Sequence, residues 1–301
     1  MRTVRTVEGL RAVLAAARRG DRAIGLVPTM GALHEGHLSL IRHARRQCDV
    51  VVVSVFVNPS QFNEHADLER YPRDEVRDAE LASAAGADVL FAPAVEEVYP
   101  TGFATSVEVV GVSGRLEGVA RGAEHFRGVA TVVAKLFGMA LPDVAYFGQK
   151  DAQQLVVIRR LVSDLNLPVR VEACPTVREA DGLAMSSRNI LLSPAERARA
   201  LALPRALEAA SEMAAAGERS SAALLRAARS AMAAHGVTPE YVELVDADTL
   251  EPLETLARSG LLTLAARVGA TRLIDNAVLE APDTPSPAPG ADRKALSLCS
   301  A

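Results

Sequence analysis

Two histidines three residues apart are the side chains of this sequence best suited to phosphate chemistry. They lie in PTMGALHEGH, residues 28–37, which follows an apolar strand-like run and precedes an amphipathic helical pattern. Glycines in such a turn let the backbone approach a nucleotide closely, and a helix N-terminus offers free N–H groups to phosphate. On one face of the first turn, His34 and His37 can donate hydrogen bonds or protons. Alternatively, the two histidines could be hydrated surface residues or metal ligands. The lack of a nearby cysteine favours phosphate binding over metal ligation.

A glutamine follows the most apolar predicted strand of the chain. The run DVVVVSVFV, residues 49–57, continues into NPSQF, which contains Gln61. Ligands of open α/β sheets bind outside the carboxyl ends of the strands. Because an amide both donates and accepts hydrogen bonds, Gln61 suits a hydroxyl-bearing substrate, although an exposed turn glutamine is the alternative.

The segment FGQKDAQQ, residues 147–154, combines a glycine, a cation and a carboxylate at another strand end. Gly148 permits close approach and Lys150 can meet a phosphate as a point charge. Asp151 could cap the following helix or accompany a metal ion. Gln154, one turn further, is expected to face the same opening.

A fourth polar segment follows the Asp181-Gly182 turn. Residues 185–189, MSSRN, supply two hydroxyls and a guanidinium in a loop. Such a loop can close over a nucleotide as a phosphate clamp, although serine-rich loops are often only solvated. Other families are excluded, because the chain has no GxxxxGK[ST], no GxGxxG after the first strand and no GxSxG.

The composition excludes several classes of protein. The chain has 301 residues, a net charge of −4 and only 4% aromatic residues, which argues against a nucleic-acid partner. No apolar run is long enough for a membrane span, and no signal-peptide pattern is present. The three cysteines lack metal-site spacing, so we expect reduced thiols and a cytoplasmic location.

The order of the predicted elements indicates an α/β fold. Apolar strand patterns alternate with helical ones from residue 22 to residue 177, which predicts a Rossmann-like, doubly wound parallel sheet. Two alanine-rich helical stretches, 195–216 and 219–234, and three strand patterns then predict a smaller C-terminal α+β domain. We therefore expect domains at 1–187 and 188–280, followed by a disordered tail at 281–301 that is rich in Pro, Ala and Ser.

Five motifs, taken together and in order, resemble the pantothenate synthetase (pantoate–β-alanine ligase) family of the HIGH-type nucleotidyltransferase group. They are PTMGALHEGHLSLI, VFVNPSQF, DLERYPR, FGQKDAQQL and PTVREADGLAMSSRN. The resemblance covers about residues 22–280. It implies an ATP-dependent ligase that joins (R)-pantoate to β-alanine through an acyl-adenylate, releases AMP and pyrophosphate, and uses Mg²⁺. It also implies a homodimer in which the C-terminal domain acts as a lid.

The resemblance also assigns site residues. His37, as proton donor, would act with His34, Lys150, Ser186, Ser187 and Arg188 in catalysis, while Gln61 and Gln154 would hold pantoate, with Gln61 also beside β-alanine. ATP would contact Met30, Gly31, Ala32, Leu33, His34, Glu35, Gly36, His37, Gly148, Gln149, Lys150, Asp151, Val177, Met185, Ser186, Ser187 and Arg188. No metal ligands are assigned; Mg²⁺ is expected with the ATP phosphates, near Asp151.

The chain departs from the family pattern at three places. Gln149 stands where Glu is usual, and Ala152 replaces an aromatic residue. Residues 116–129 are one residue longer than the pattern and lack the proline after Arg121, so Arg121 is not carried over, whereas His125 matches. Two alternatives stay open: a nucleotidyltransferase that acts on a phosphate ester, and a catalytically dead nucleotide-binding regulator.

Overall fold

The computed structural model describes residues 1–62, 68–69 and 71–282 of the chain. Residues 283–301, most of the predicted tail, lie outside this part, as do residues 63–67 and 70 within and before the DLERYPR motif.

A six-stranded parallel sheet forms the N-terminal part of the molecule and confirms the predicted fold class. Its strands are β1 (Arg2–Val4), β2 (Ile24–Thr29), β3 (Val50–Val55), β4 (Val89–Phe91), β5 (Val144–Gly148) and β6 (Arg170–Cys174). They are arranged in the order β1-β4-β3-β2-β5-β6, with every pair parallel. Strands β2 and β3 lie in the middle and are covered on both faces, which accounts for their near-continuous apolar sequences.

Helices cover the two faces of this sheet. They are α1 (Val7–Arg19), α2 (Glu35–Gln47), α3 (Glu75–Ala84), α4 (Val95–Val98), α5 (Glu117–Arg121), α6 (Ala123–Ala140) and α7 (Ala152–Asp164). Helices α1, α6 and α7 bury their apolar sides in one core, whereas α2 and α3 pack in a second core on the opposite face. The sequence patterns predicted neither β1 nor α1, although Leu10 and Leu14 of α1 are completely buried.

A separate antiparallel sheet with helices confirms the predicted smaller α+β part. It comprises α8 (Pro194–Ala200), α9 (Ala202–Ala215), α10 (Ser221–Ala234), β7 (Pro239–Val245), β8 (Ser259–Val268) and β9 (Thr271–Glu280). The stretch predicted as a single helix, 195–216, is interrupted at Leu201, between α8 and α9. Leu183 packs in the core of this part, five residues before the predicted boundary, so the preceding hairpin contacts the C-terminal sheet.

The strand order defines where a ligand should bind. From β2 the chain proceeds through β3 to β4 on one side, while β5 and β6 lie on the other side. This reversal places the carboxyl ends of β2 and β5 side by side, after Thr29 and Gly148. In doubly wound sheets such a switch point opens the ligand crevice. Among the described residues, no helix is both long and apolar enough to span a bilayer.

Candidate active site

A cleft of about 280 Å³ opens at this switch point, between the parallel sheet and the C-terminal sheet. It brings together most of the predicted site residues: Met30, His34, Gly36, His37, Gln61, Gly148, Lys150, Asp151, Gln154, Val177, Met185, Ser186, Ser187 and Arg188. Four segments that are distant in sequence therefore meet in one wall. The C-terminal part contributes Tyr241, Thr263, Ile274, Asp275 and Asn276 to the same cleft.

The turn after β2 is held in place by a buried carboxylate. Gly31 and Ala32 both have positive φ angles, +84° and +51°. Asp78 of α3, only 1% exposed, accepts hydrogen bonds from the backbone N–H of Ala32 at 2.9 Å and from that of Leu33 at 2.7 Å. A Cβ atom added at Gly31 would lie 2.9 Å from an Asp78 carboxylate oxygen, so this turn requires glycine.

His34, the N-cap residue of α2, and His37, in its first turn, are fixed in the same tautomer. The backbone N–H of Gly36 donates to Nδ1 of His34 at 3.2 Å, and the backbone N–H of His34 donates to Nδ1 of His37 at 3.4 Å. Because each Nδ1 accepts a hydrogen bond, each neutral ring carries its proton on Nε2. The rings lie in contact, with their centroids 4.1 Å apart and their planes tilted by 36°. The pair thus offers N–H donors, as phosphate recognition requires.

Both imidazoles are kept neutral. Burial lowers the pKa of His37 to about 3, and the neighbouring His34 and Lys150 act in the same direction. Burial also lowers the pKa of His34, with a further contribution from Lys150. At neutral pH the two side chains are therefore hydrogen-bond donors rather than cations.

Gln61 is oriented by the neighbouring residue Asn58. Asn58 is 1% exposed; its amide N–H donates to Oε1 of Gln61 at 3.1 Å and to the carbonyl of Gly128 at 3.1 Å. The amide nitrogen of Gln61 therefore faces the cleft, where it contacts Sδ of Met30 at 2.9 Å. Gly128 allows helix α6 to lie against this turn, because a Cβ atom there would be 2.3 Å from the Ser60 carbonyl.

The turn that carries Lys150 is held from the C-terminal sheet. Asn276 of β9 donates hydrogen bonds to the carbonyls of Gln149 and Lys150, at 3.1 and 2.9 Å. Nζ of Lys150 lies 3.9 Å from a carboxylate oxygen of Asp151, whose side chain is half exposed. Asp151 occupies the N-cap position of α7, as one of the two interpretations predicted, but its side chain makes no capping hydrogen bond. Gln154 faces the cleft, as predicted.

The MSSRN loop lies over the N-terminus of α2. Sδ of Met185 accepts a hydrogen bond from the N–H of Gly36 at 3.2 Å, the same N–H that donates to His34. Ser187 lies in the cleft beside Tyr71, a residue that the sequence did not single out. The N–H of Arg188 donates to Oγ of Ser186 at 3.3 Å. The loop thus lies against the turn that carries the two histidines.

A buried carboxylate joins the two parts of the molecule at the cleft. Glu117 accepts hydrogen bonds from Arg272 at 2.6 and 2.7 Å, from Tyr241 at 2.9 Å and from Nε of Arg121 at 3.0 Å. Burial raises the pKa of Glu117, but the arginines outweigh this effect and hold the pKa at about 2. Arg121, which the departure from the family pattern had left unassigned, lies in the cleft wall.

Some predicted site residues lie outside the cleft lining. They are Gly31, Ala32, Leu33, Glu35 and Gln149. Leu33 is completely buried, and Glu35 forms an ion pair with Arg42 on the outer side of α2. Gln153, which the sequence did not single out, donates to the carbonyls of Val112 and Arg115 at 2.8 and 2.7 Å and so ties the loop before α5 to α7.

Comparisons with known proteins agree with this geometry. The family model for pantoate-beta-alanine ligase matches residues 2–278. A pantothenate synthetase from Moorella thermoacetica is 56% identical, over 94% of this chain and all of the relative. One from Cereibacter sphaeroides is 57% identical, over 91% of this chain and 98% of its own.

Solved structures agree as well. The pantothenate synthetase of Thermus thermophilus superposes with a TM-score of 0.87 at 50% identity, over 92% of this chain and 99% of that one. The Francisella tularensis ligase, solved with Beta-gamma ATP and β-alanine, gives a TM-score of 0.77 at 32% identity, over 92% and 97% of the two chains. With nearly full-length matches of this kind, the chain belongs to the pantoate–β-alanine ligase family.

Proposed function

We propose that this chain condenses (R)-pantoate with β-alanine at the expense of ATP, through pantoyl adenylate, and releases AMP and pyrophosphate. The observation that carries the proposal is the meeting, in one cleft, of two Nε2–H donors, a helix N-terminus, Lys150 and the glutamine pair. The family supports it, and so does the relative solved with Beta-gamma ATP and β-alanine.

In the first step, the pantoate carboxylate attacks the α-phosphorus of ATP and pyrophosphate leaves. Negative charge grows on the departing phosphates, so donors already in position lower the barrier. We assign this task to His34, His37 and Lys150, with Ser186, Ser187 and Arg188 closing over the phosphates. His37 acts as a neutral donor, since its pKa of about 3 leaves no imidazolium at neutral pH.

The two glutamines are proposed to hold pantoate. With Oε1 engaged by Asn58, Gln61 presents its N–H₂ group to the substrate, while Gln154 faces it from α7. The apolar wall beside them, which includes Phe126 and Val129, suits the dimethyl carbon chain of pantoate. The enclosed position also keeps water from the mixed anhydride, which would otherwise hydrolyse.

Mg²⁺ is proposed to enter with ATP. Among the described residues, no group of three or more His, Cys, Asp or Glu side chains could hold a metal ion by itself. A site with few protein ligands still fits Mg²⁺, because proteins commonly bind this ion through substrate phosphates and one or two carboxylates. The half-exposed carboxylate of Asp151 is the one we assign. When bound, the ion would neutralise charge on the leaving pyrophosphate.

The C-terminal part is proposed to act as a lid, with domains at 1–187 and 188–280. The contacts of Asn276 with the Lys150 turn and of Glu117 with Arg272 support a lid that adjusts the nucleotide site when it closes. Arg178, which forms a bidentate ion pair with the buried Asp275, links the hairpin before the MSSRN loop to the same sheet.

We propose a homodimeric, cytoplasmic protein. Val110 and Val119 expose 78% and 77% of their surface, and apolar side chains of this kind suit a subunit interface. Cys48 and Cys174 are free and buried, which fits a reducing compartment. Multi-angle light scattering would distinguish a dimer from a monomer.

The proposed function is tested by measuring AMP and pyrophosphate release from Mg·ATP with pantoate, with and without β-alanine. We expect AMP and pantothenate in equal amounts only when all substrates are present. A nucleotidyltransferase acting on a phosphate ester would retain the nucleotide in its product. A binding regulator would give no turnover, and would bind ATP equally well in wild type and in His37→Ala.

A further inference from the structure

The second step needs a proton acceptor that the assignments above do not supply. The amine of β-alanine resembles a lysine amine, with a pKa of about 10.4, so it arrives as an ammonium ion without a lone pair. It can attack the acyl carbon of pantoyl adenylate only after losing a proton. An acceptor is therefore required inside the cleft.

The ionisable groups already assigned are unsuited to this task. His34 and His37 have Nδ1 engaged by backbone N–H groups and present only Nε2–H donors. Lys150 is a cation. The carboxylate of Glu117 accepts four hydrogen bonds from three residues and has a pKa of about 2. Asp151 lies beside Lys150, where we place the nucleotide phosphates.

His125, in the first turn of α6, has the opposite tautomer. Its Nδ1 lies 2.9 Å from the backbone carbonyl of Gln61. Because a carbonyl can only accept, Nδ1 carries the proton and Nε2 of the neutral ring carries the lone pair. Nε2 has no hydrogen-bond partner within the part of the chain that the structure describes, and the residue lines the cleft.

The surroundings of His125 keep it in this basic form. Burial and the charge of Arg121 lower the pKa of His125, while the Gln61 carbonyl, Glu117 and Asp151 partly oppose them. The ring is therefore neutral at neutral pH. Phe126, 3% exposed, anchors this turn of the helix, so the base is fixed beside the residue proposed to contact both substrates.

We propose that His125 is the general base of the amide-forming step. Nε2 takes one proton from the ammonium ion of β-alanine, and the freed lone pair forms the C–N bond with the acyl carbon. The bond from that carbon to the phosphate oxygen then breaks, its electron pair leaving with AMP, and the second nitrogen proton passes to solvent. This assignment rests on the proposed function.

The test compares two nucleophiles in His125→Gln, with His125→Asn as a second variant. Neither amide can accept a proton, and the asparagine amide, which takes the place of Nδ1, can still donate to the Gln61 carbonyl. Hydroxylamine, unprotonated at neutral pH, intercepts pantoyl adenylate without needing a base. His43→Gln is the matched control, because His43 lies beside Glu172 and Tyr146 of the parallel sheet, outside the cleft lining.

Three rates are measured at neutral pH: pantoate-dependent exchange of pyrophosphate into ATP, pantothenate formation, and pantoyl hydroxamate formation. We expect His125→Gln to keep the exchange and hydroxamate rates and to lose about 100-fold or more in pantothenate formation, which partly recovers as the pH rises. The assignment is overturned if His125→Gln slows pantothenate and hydroxamate formation equally, or if it slows neither. Absence of exchange in the wild type overturns the proposed function itself.

Discussion

Glu117 allows the energy of the contact between the two parts of the molecule to be measured. Its carboxylate is 7% exposed and binds Arg272, Arg121 and Tyr241. The folded protein lowers the pKa of Glu117 from its ordinary value of 4.5 to about 2. At about 1.4 kcal/mol for each unit of pKa, this corresponds to about 3 kcal/mol of stability at neutral pH. We therefore expect Glu117→Gln, which keeps the shape and removes the charge, to lower the free energy of unfolding by about 3 kcal/mol.

Urea unfolding followed by far-ultraviolet circular dichroism is the assay, since the chain has no Trp for fluorescence. The pKa of Glu117 is depressed in the folded state, so its contribution is complete above pH 4.5 and is lost as the pH falls towards 2. The difference in free energy of unfolding between the wild type and Glu117→Gln should therefore shrink as the pH falls from 4.5 towards 2.

Glu251→Gln is the control for this measurement. Glu251 also pairs with an arginine, Arg115, but its side chain is 62% exposed. Exposed ion pairs contribute less than about 1 kcal/mol, so this variant should unfold almost like the wild type. If Glu117→Gln and Glu251→Gln lowered the free energy of unfolding equally, the claim that the buried Glu117 contact holds the two parts together would be refuted.

Four further outcomes follow from the geometry. Lys150→Ala should fold normally but lose most of the pyrophosphate exchange; an unchanged rate would remove Lys150 from the adenylation step. Gly128→Ala places a Cβ atom 2.3 Å from the Ser60 carbonyl and so displaces the adjoining glutamine turn, which should raise the KM for pantoate by about 10-fold or more, measured in steady state. The pKa of His37 is depressed from 6.5 to about 3, so its neutral form stabilises the fold above pH 6.5, and this contribution is lost as the pH falls towards 3. His37→Gln should therefore make the free energy of unfolding less dependent on pH between these values, by up to about 1.4 kcal/mol per pH unit. Deleting residues 283–301 should leave pantothenate formation unchanged; a large loss would show that this segment contributes to the site.

Local sequence patterns were sufficient for most of the parallel sheet. The apolar run of β3 and the glycine turn after β2 are each recognisable from a short stretch of sequence, and both are where the patterns predicted. Strand β1 has only three residues, too few for an alternating pattern, and α1 is an alanine- and arginine-rich helix. These two elements were therefore missed.

The supporting residues of the site could not be read from the sequence. Asp78 lies in a charged helix in which a carboxylate normally faces solvent, and its role depends on a turn 46 residues away in the chain. Glu117 meets Arg272 across 155 residues. His125 was recognised within a motif, but its tautomer depends on the Gln61 carbonyl 64 residues earlier. Contacts of this kind are fixed by tertiary packing, which no local spacing encodes.

The sulfur of Met185 has a consequence for how the nucleotide enters. The N–H of Gly36 is shared between Nδ1 of His34 and the Met185 sulfur, and a thioether is a weak acceptor, so the contact with the sulfur is the weaker of the two. An arriving phosphate oxygen, charged and a stronger acceptor, can displace the sulfur at little cost, and the flexible methionine can then pack elsewhere. Oxidation to the sulfoxide would reverse this balance, because the new S=O group is a strong acceptor at the same position. We therefore expect oxidation of Met185 to oppose nucleotide entry.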